Sequence, residues 1–255
     1  MFKKLKIKRG IIYSLLAVGM FTLIGFVESK EKETRVKNVV INIDHEGNNY
    51  FVEEEDVMDL MTRNGADLIV DKKYAQIDLK EIELRVKSFK FVQDAQVSKD
   101  HKGNVTVLVK QRRPIARIIQ SNGSHAYIGA DGTTLSTSEK YTSRVVVIDG
   151  DFTSKLLSEE YLTKEEEGKK YFDLLKKIDQ DKFWKTMIAQ LTISKNGEIQ
   201  IYPQLGDQVI EIGKPDDLDL KLRNMALFYT KILPAKGWGS YKNVNLKYKD
   251  QIICE

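Results

Sequence analysis

Residues Val105–Ala116 read "VTVLVKQRRPIA". Val105, Val107 and Val109 recur with the period of two of a β-strand, and the strand runs straight into Arg112, Arg113 and Pro114. Proline has no N–H to give to a ladder and holds its predecessor extended, so pairing stops there and the chain restarts at an angle. A charged, rigid corner near the middle of a chain suits a nucleic-acid patch, a catalytic arginine pair or a seam between two domains. The residues on either side decide among them.

Upstream, Val36–Asp44 ("VKNVVINID") carries Val39, Ile41 and Ile43 in strand alternation. The acidic run Glu53-Glu54-Glu55-Asp56 precedes Val57, Leu60 and Met61 and is closed by Asn64-Gly65. Acids complement a helix N-terminus and Gly65 suits the C′ position, so this run reads as a helix start and not as a metal site. Asp78 with Glu81 resembles a capping box for a second helix striped by Leu79, Ile82, Val86 and Phe89. A strand through Phe91-Val92 and Ala95–Val97 and a Gly103-Asn104 turn lead into the opening strand. The expected order is β-α-α-β-β, a small two-layer α+β domain over residues 36–112.

Downstream the texture changes. Short strand patterns at Ile115–Gln120, Ala126–Ile128, Thr133–Leu135 and Val145–Ile148 are separated by Asn122-Gly123, Asp131-Gly132 and Asp149-Gly150. A helix is expected from Thr163, boxed by Glu166 and striped by Tyr171, Leu174, Leu175 and Ile178. "AQLTISKNGEIQIYP" is a hairpin with Asn196-Gly197 at its tip. A strand at Val209–Ile212 follows, then a helix after Pro215 striped by Leu218, Leu222, Met225, Tyr229 and Ile232, then a closing strand, Val244–Lys249. Residues 113–249 therefore read as a mostly antiparallel β-domain with two or more helices, and residues 250–255 as a tail.

The N-terminus bounds the setting. Lys3, Lys4, Lys6, Lys8 and Arg9 precede Gly10–Val27, "GIIYSLLAVGMFTLIGFV", eighteen residues without a charge. As a helix this run spans roughly 27 Å, close to a hydrocarbon core. It is long for a signal peptide, and "GFVES" offers no small-x-small cleavage site. The expectation is an uncleaved transmembrane helix with residues 1–9 cytoplasmic, a charged spacer at 28–35, and everything beyond on the far side. The chain has 41 basic and 37 acidic residues; without the five tail cations, 36 basic face 37 acidic. Such a balanced surface is no footprint for a phosphate backbone, so nucleic acid is not expected as a partner. Cys254 stands alone, so no intrachain disulfide forms, and it is given no role.

No catalytic constellation emerges. His45, His101 and His125 lie beside turn signals without partners at metal-ligand spacing. "IDGDF" at Ile148–Phe152 has two carboxylates around a glycine but lacks the remaining ligands of a calcium loop. Gly-rich phosphate loops and nucleophile motifs are missing. The expectation is a protein that is not an enzyme and has no cofactor, metal or small-molecule substrate.

Five segments, in order behind such an anchor, resemble the FtsQ/DivIB family of bacterial cell-division proteins, which have one anchor, a POTRA domain and a β-domain. "KFVQDAQV" (Lys90–Val97) is similar to the family's P-W-V-x-x-A-x-V, with Lys90 and Phe91 in place of Pro and Trp. "VLVKQRRPIARI" resembles its E-R-R-P-x-A seam, with Gln111 for Glu. "YIGADGTTL" resembles its D-x-x-G turn, "VVVIDGDF" its L-P-x-L-x-G segment, and "VNLKY" its V-D-L-R-Y strand, with Asn245 and Lys247 for Asp and Arg. The resemblance implies a single-pass scaffold of the inner (cytoplasmic) membrane at the division septum. It also implies binding of FtsB- and FtsL-type proteins, contact with septal synthase components, and a part in controlling septal peptidoglycan synthesis. It makes Arg112, Arg113 and Pro114 an interdomain or recruitment corner. The rival within the binding class is an envelope POTRA chaperone or secretion factor acting on translocating chains.

The partner site is expected on the closing strand, at Val244, Asn245, Leu246, Lys247, Tyr248 and Lys249. A chain-terminal strand has nothing after it to cover its free edge, and an open edge invites strand addition. Tyr248 is the expected anchor, because interface hot spots favour tyrosine.

Overall fold

The computed structural model describes residues 13–14, 16–22, 33–120, 123–158, 161–249 and 251–255. Half of the expected membrane span at 10–27 falls outside these. Residues 13–14 and 16–22 are helical, and among the described residues no helix is long and apolar enough to cross a membrane. The chain divides into two compact units: Val52–Gln111 with the residues up to His45, and Glu46–Phe51 with Arg112–Glu255.

The first unit has the expected order: β1 (Asn38–Asp44), α1 (Glu54–Thr62), α2 (Leu79–Lys87), β2 (Val92–Lys99) and β3 (Asn104–Gln111). The sheet runs β1-β3-β2, with β1 parallel and β2 antiparallel to β3. The valines of the opening strand, Val105, Val107 and Val109, all point into the core, where they join Val57, Met61, Ile82 and Val86 from the helices. Half of the expected box at Asp78 forms: Asp78 Oδ1 accepts from Glu81 N at 3.0 Å, but the Glu81 carboxylate pairs with Arg63 instead of returning to the cap, whereas Asp56 Oδ2 does accept from Glu53 N at 2.9 Å at the start of α1. The end of α1 differs. Arg63 caps it at φ 53, Asn64 takes the C′ position at φ 55, and Gly65 comes one residue later at φ 82. A left-handed run of three replaces the single glycine cap.

The second unit is built on a nine-stranded sheet in the order β12-β11-β10-β9-β8-β7-β4-β5-β6. Its strands are β4 (Pro114–Ile119), β5 (His125–Gly129), β6 (Thr134–Ser136), β7 (Val146–Asp149), β8 (Ile188–Ile193), β9 (Ile199–Pro203), β10 (Val209–Gly213), β11 (Asn243–Asn245) and β12 (Ile253–Cys254). Five pairings are antiparallel; β4/β7, β7/β8 and β10/β11 are parallel. The helices are α3 (Thr153–Leu156), α4 (Tyr161–Lys164), α5 (Glu166–Gln180), α6 (Lys182–Met187), α7 (Leu218–Leu227) and α8 (Leu233–Lys236), with a π-helical stretch Phe228–Ile232 between the last two. The helix expected from Thr163 begins at Glu166, because α4 breaks off at Lys164 and Glu165 is extended. The predicted stripes hold: Tyr171, Leu174, Leu175 and Ile178 of α5, and Leu222 and Met225 of α7, share one core cluster with Ile148, Leu191, Ile201 and Ile210 of the sheet.

Candidate functional site

The closing segment is held from both sides. β11 runs parallel to β10, with Val209 N donating to Lys242 O at 2.7 Å and Leu246 N to Glu211 O at 2.8 Å. On its other side β12 pairs antiparallel, setting Val244 against Cys254 and Asn245 against Ile253. The expectation of an open strand over 244–249 is therefore corrected in two ways. The strand stops at Asn245, whose Oδ1 accepts from Lys247 N at 3.0 Å and turns the chain. The free edge passes to β12, a strand of two residues with no alternation long enough to reveal it.

This turn sorts the six side chains. Val244 and Leu246 are 0% and 1% exposed, whereas Tyr248 is 54% exposed, so the three do not share a face. Tyr248 overlooks a depression of about 270 Å³ lined also by Glu198, Leu220, Lys221, Lys247 and Lys249. Lys247 Nζ lies 3.1 Å from Glu211 and 3.4 Å from Glu198, and the hydrogen bond it donates to Glu211 holds its ammonium above the ordinary lysine value. Lys249 Nζ is 2.9 Å from Asp217. Lys221 behaves oppositely: burial pushes it down, and its Nζ donates to Lys214 O at 2.7 Å. The rim is thus zwitterionic around one unburied aromatic ring.

The corner residues lie elsewhere on the same sheet. β4 is separated from β11 by four strands, roughly 24 Å at ordinary strand spacing. Pro114 opens β4, where its missing N–H costs little, and the ladder shifts register between Pro114 and Ala116. Arg112 Nη1 is 2.9 Å from Asp131 Oδ2, and Arg113 Nη1 is 2.9 and 2.7 Å from the two oxygens of Asp179. Both carboxylates belong to the sheet-rich unit. Gln111, immediately before the corner, is buried in the first unit, accepting from Val52 N at 2.9 Å and donating to Asp44 O at 3.2 Å. An amide makes both bonds where a carboxylate would only accept, a role the sequence pattern did not reveal. His45, His101 and His125 are exposed.

A family model described as FtsQ/DivIB, C-terminal related, matches residues 113–255, and a POTRA-like domain model matches residues 34–110. No curated protein sequence matches the chain. With a β-α-α-β-β unit ahead of a nine-stranded unit that the family's own model covers from the Arg113 corner to Glu255, the chain belongs to the FtsQ/DivIB family of cell-division proteins.

Proposed function

We propose that this protein is a non-enzymatic, single-pass membrane scaffold of the division complex. Residues 1–9 lie in the cytoplasm, 10–27 in the membrane and the remainder beyond it at the septum. There it binds partners of the FtsB and FtsL type and helps to control septal peptidoglycan synthesis. Family membership supports the setting, and the single observation that carries the docking site is Tyr248. It is half exposed while Val244 and Leu246 beside it are sealed in the core. An aromatic ring with its hydroxyl in water, over a depression rimmed by both charges, suits an interface anchor. The short edge strand β12 lies alongside and supplies main-chain groups for strand addition. Within the corner, the buried carboxylate opposite Arg113 favours a bracing role for that residue. Arg112, held by the more exposed Asp131, is the one left to recruitment.

Tyr248→Glu tests the site. It should abolish copurification with the coiled-coil partners and septal localisation of a fluorescent fusion, with circular dichroism and melting of the full chain close to wild type. Retained copurification would remove the site from this segment. External protease on spheroplasts tests the topology: it should degrade the large domains, and their protection would exclude the proposed orientation.

A further inference from the structure

From Leu220 to Lys249 the chain has seven lysines and arginines and no aspartate or glutamate. Lys221, Lys247 and Lys249 are engaged inside the fold as described. The other four, Arg223, Lys231, Lys236 and Lys242, are exposed and form no ion pair among the described residues. Lys236 and Lys242 bracket the loop Gly237-Trp238-Gly239-Ser240-Tyr241.

Trp238 is 49% exposed, whereas the other tryptophan, Trp184, is 7% exposed. Gly237, at φ 103, turns the chain out of α8 and presents the indole. Gln208 Nε2 donates to Trp238 O at 2.6 Å, and the Tyr229 ring lies 6.3 Å from the indole. Gln208 follows the β9–β10 turn, on which Leu205 is 64% exposed. Two loops fastened by Gln208 thus each hold a large apolar side chain in water. Beneath them Gln208 Oε1 and the Tyr229 hydroxyl are buried without a hydrogen-bond partner. Burial pushes the Tyr229 phenol up to about 12, so it remains protonated.

We propose that the Leu205 and Trp238 loops form a docking surface for an acidic polypeptide segment of another protein, with an apolar side chain set between Leu205 and Trp238 and carboxylates against Lys236 and Lys242. Exposed tryptophan is the side chain from which interface hot spots are most often built, and unneutralised cations at the rim select the sign of what approaches. A polypeptide can set its carboxylates against Lys236 and Lys242 alone. A continuous anionic phospholipid surface would also face two exposed acids, Asp207 on the Leu205 loop and Glu255, whose main-chain O accepts from Lys242 N. The surface uses none of the closing-segment residues, so it stands or falls independently of Tyr248.

The test uses the full chain in neutral detergent micelles and fluorescence anisotropy of a labelled amphipathic peptide, leucines on one face and glutamates on the other. Saturable binding should be seen for this peptide and not for its lysine-for-glutamate counterpart. It should weaken with added salt and fall at least about tenfold in Trp238→Ala and in the Lys236→Glu/Lys242→Glu double variant. Melting should be unchanged in the lysine variant, and Tyr248→Glu should bind the peptide as wild type does. Equal binding of both peptides, or affinity unaffected by the lysine variant, would overturn the proposal. So would a lysine-dependent preference for phosphatidylglycerol over phosphatidylcholine vesicles without peptide binding, which would assign the surface to lipid.

Discussion

Arg113 sets Nη1 2.9 and 2.7 Å from the two carboxylate oxygens of Asp179, a side chain only 8% exposed near the end of α5. The pair ties the residue before β4 to the long helix that packs on the sheet. Lys185 adds a third contact, 2.8 Å from Asp179 Oδ1, but is itself 52% exposed. The proline corner is therefore locked by a nearly dry carboxylate, and its two sides are unequal.

Removing Arg113 leaves a buried anion with only the half-exposed Lys185 for a partner, whereas neutralising the anion releases cations that reach water. Arg113→Ala is therefore expected to cost about 2–3 kcal/mol, less than a fully buried pair because Arg113 is 24% exposed. Asp179→Asn should cost about 1 kcal/mol, since the amide still accepts a hydrogen bond. In melting, Arg113→Ala should lower Tm by roughly 5–10 °C. Arg113→Glu, which sets two carboxylates face to face, should be worse still and is unsuitable as a clean probe of recruitment. An Asp179→Asn loss equal to or larger than that of Arg113→Ala would refute the asymmetry.

Within the closing segment, Leu246→Ala should cost about 2–4 kcal/mol, because the side chain is 1% exposed and its cavity cannot fill. Tyr248→Ala should stay within about 0.5 kcal/mol of wild type. Urea denaturation separates the two, and comparable losses would mean that Tyr248 is part of the core.

How much of this was legible depended on repetition. Val105, Val107 and Val109 declared β3, and Tyr171 through Ile178 declared α5, because several turns or alternations pointed the same way. "VNLKYK" has the same alternation, yet only Val244 and Leu246 obey it, since the Asn245 turn is a local hydrogen bond that periodicity does not report. Ile253–Cys254 is too short to carry any period, and its pairing with β11 is decided across the chain. The α4 break and the π-helical stretch at Phe228–Ile232 were invisible for a similar reason: tertiary packing, not spacing, sets where those helices deform. The acid-free stretch around Trp238 does not show in the balance of charge over the whole outer chain, because acids elsewhere offset its cations.

Two glycines with positive φ separate conformational strain from steric clash. Gly65, at φ 82, has open space where a side chain would go, so Gly65→Ala should cost only the left-handed penalty, about 1 kcal/mol. At Gly150, at φ 99, a Cβ would fall 2.3 Å from Ile193 O, a backbone atom in β8. Gly150→Ala must move that strand and should cost at least about 3 kcal/mol. Equal melting temperatures for the two variants would show that β8 yields freely.

The β2–β3 turn should give the first unit an acid-sensitive element. Asp100 accepts from Lys102 N at 2.8 Å, Asn104 N at 2.9 Å and Asn104 Nδ2 at 2.6 Å. These bonds, the one from the Asn104 backbone N–H foremost, hold its carboxyl below the ordinary 3.8. A depressed carboxyl stabilises the folded state fully above its unfolded value and loses that contribution as pH falls through the lower, folded value. Asp100→Asn removes the charge but keeps one acceptor, so the variant should be less stable than wild type near pH 7. The difference should shrink once pH drops below 3.8 and vanish below the folded value. Urea midpoints for both proteins from about pH 6 to about pH 2 measure it directly. A gap that stays constant or widens on acidification would mean that the turn is held by its backbone bonds alone, and that the charge on Asp100 contributes nothing.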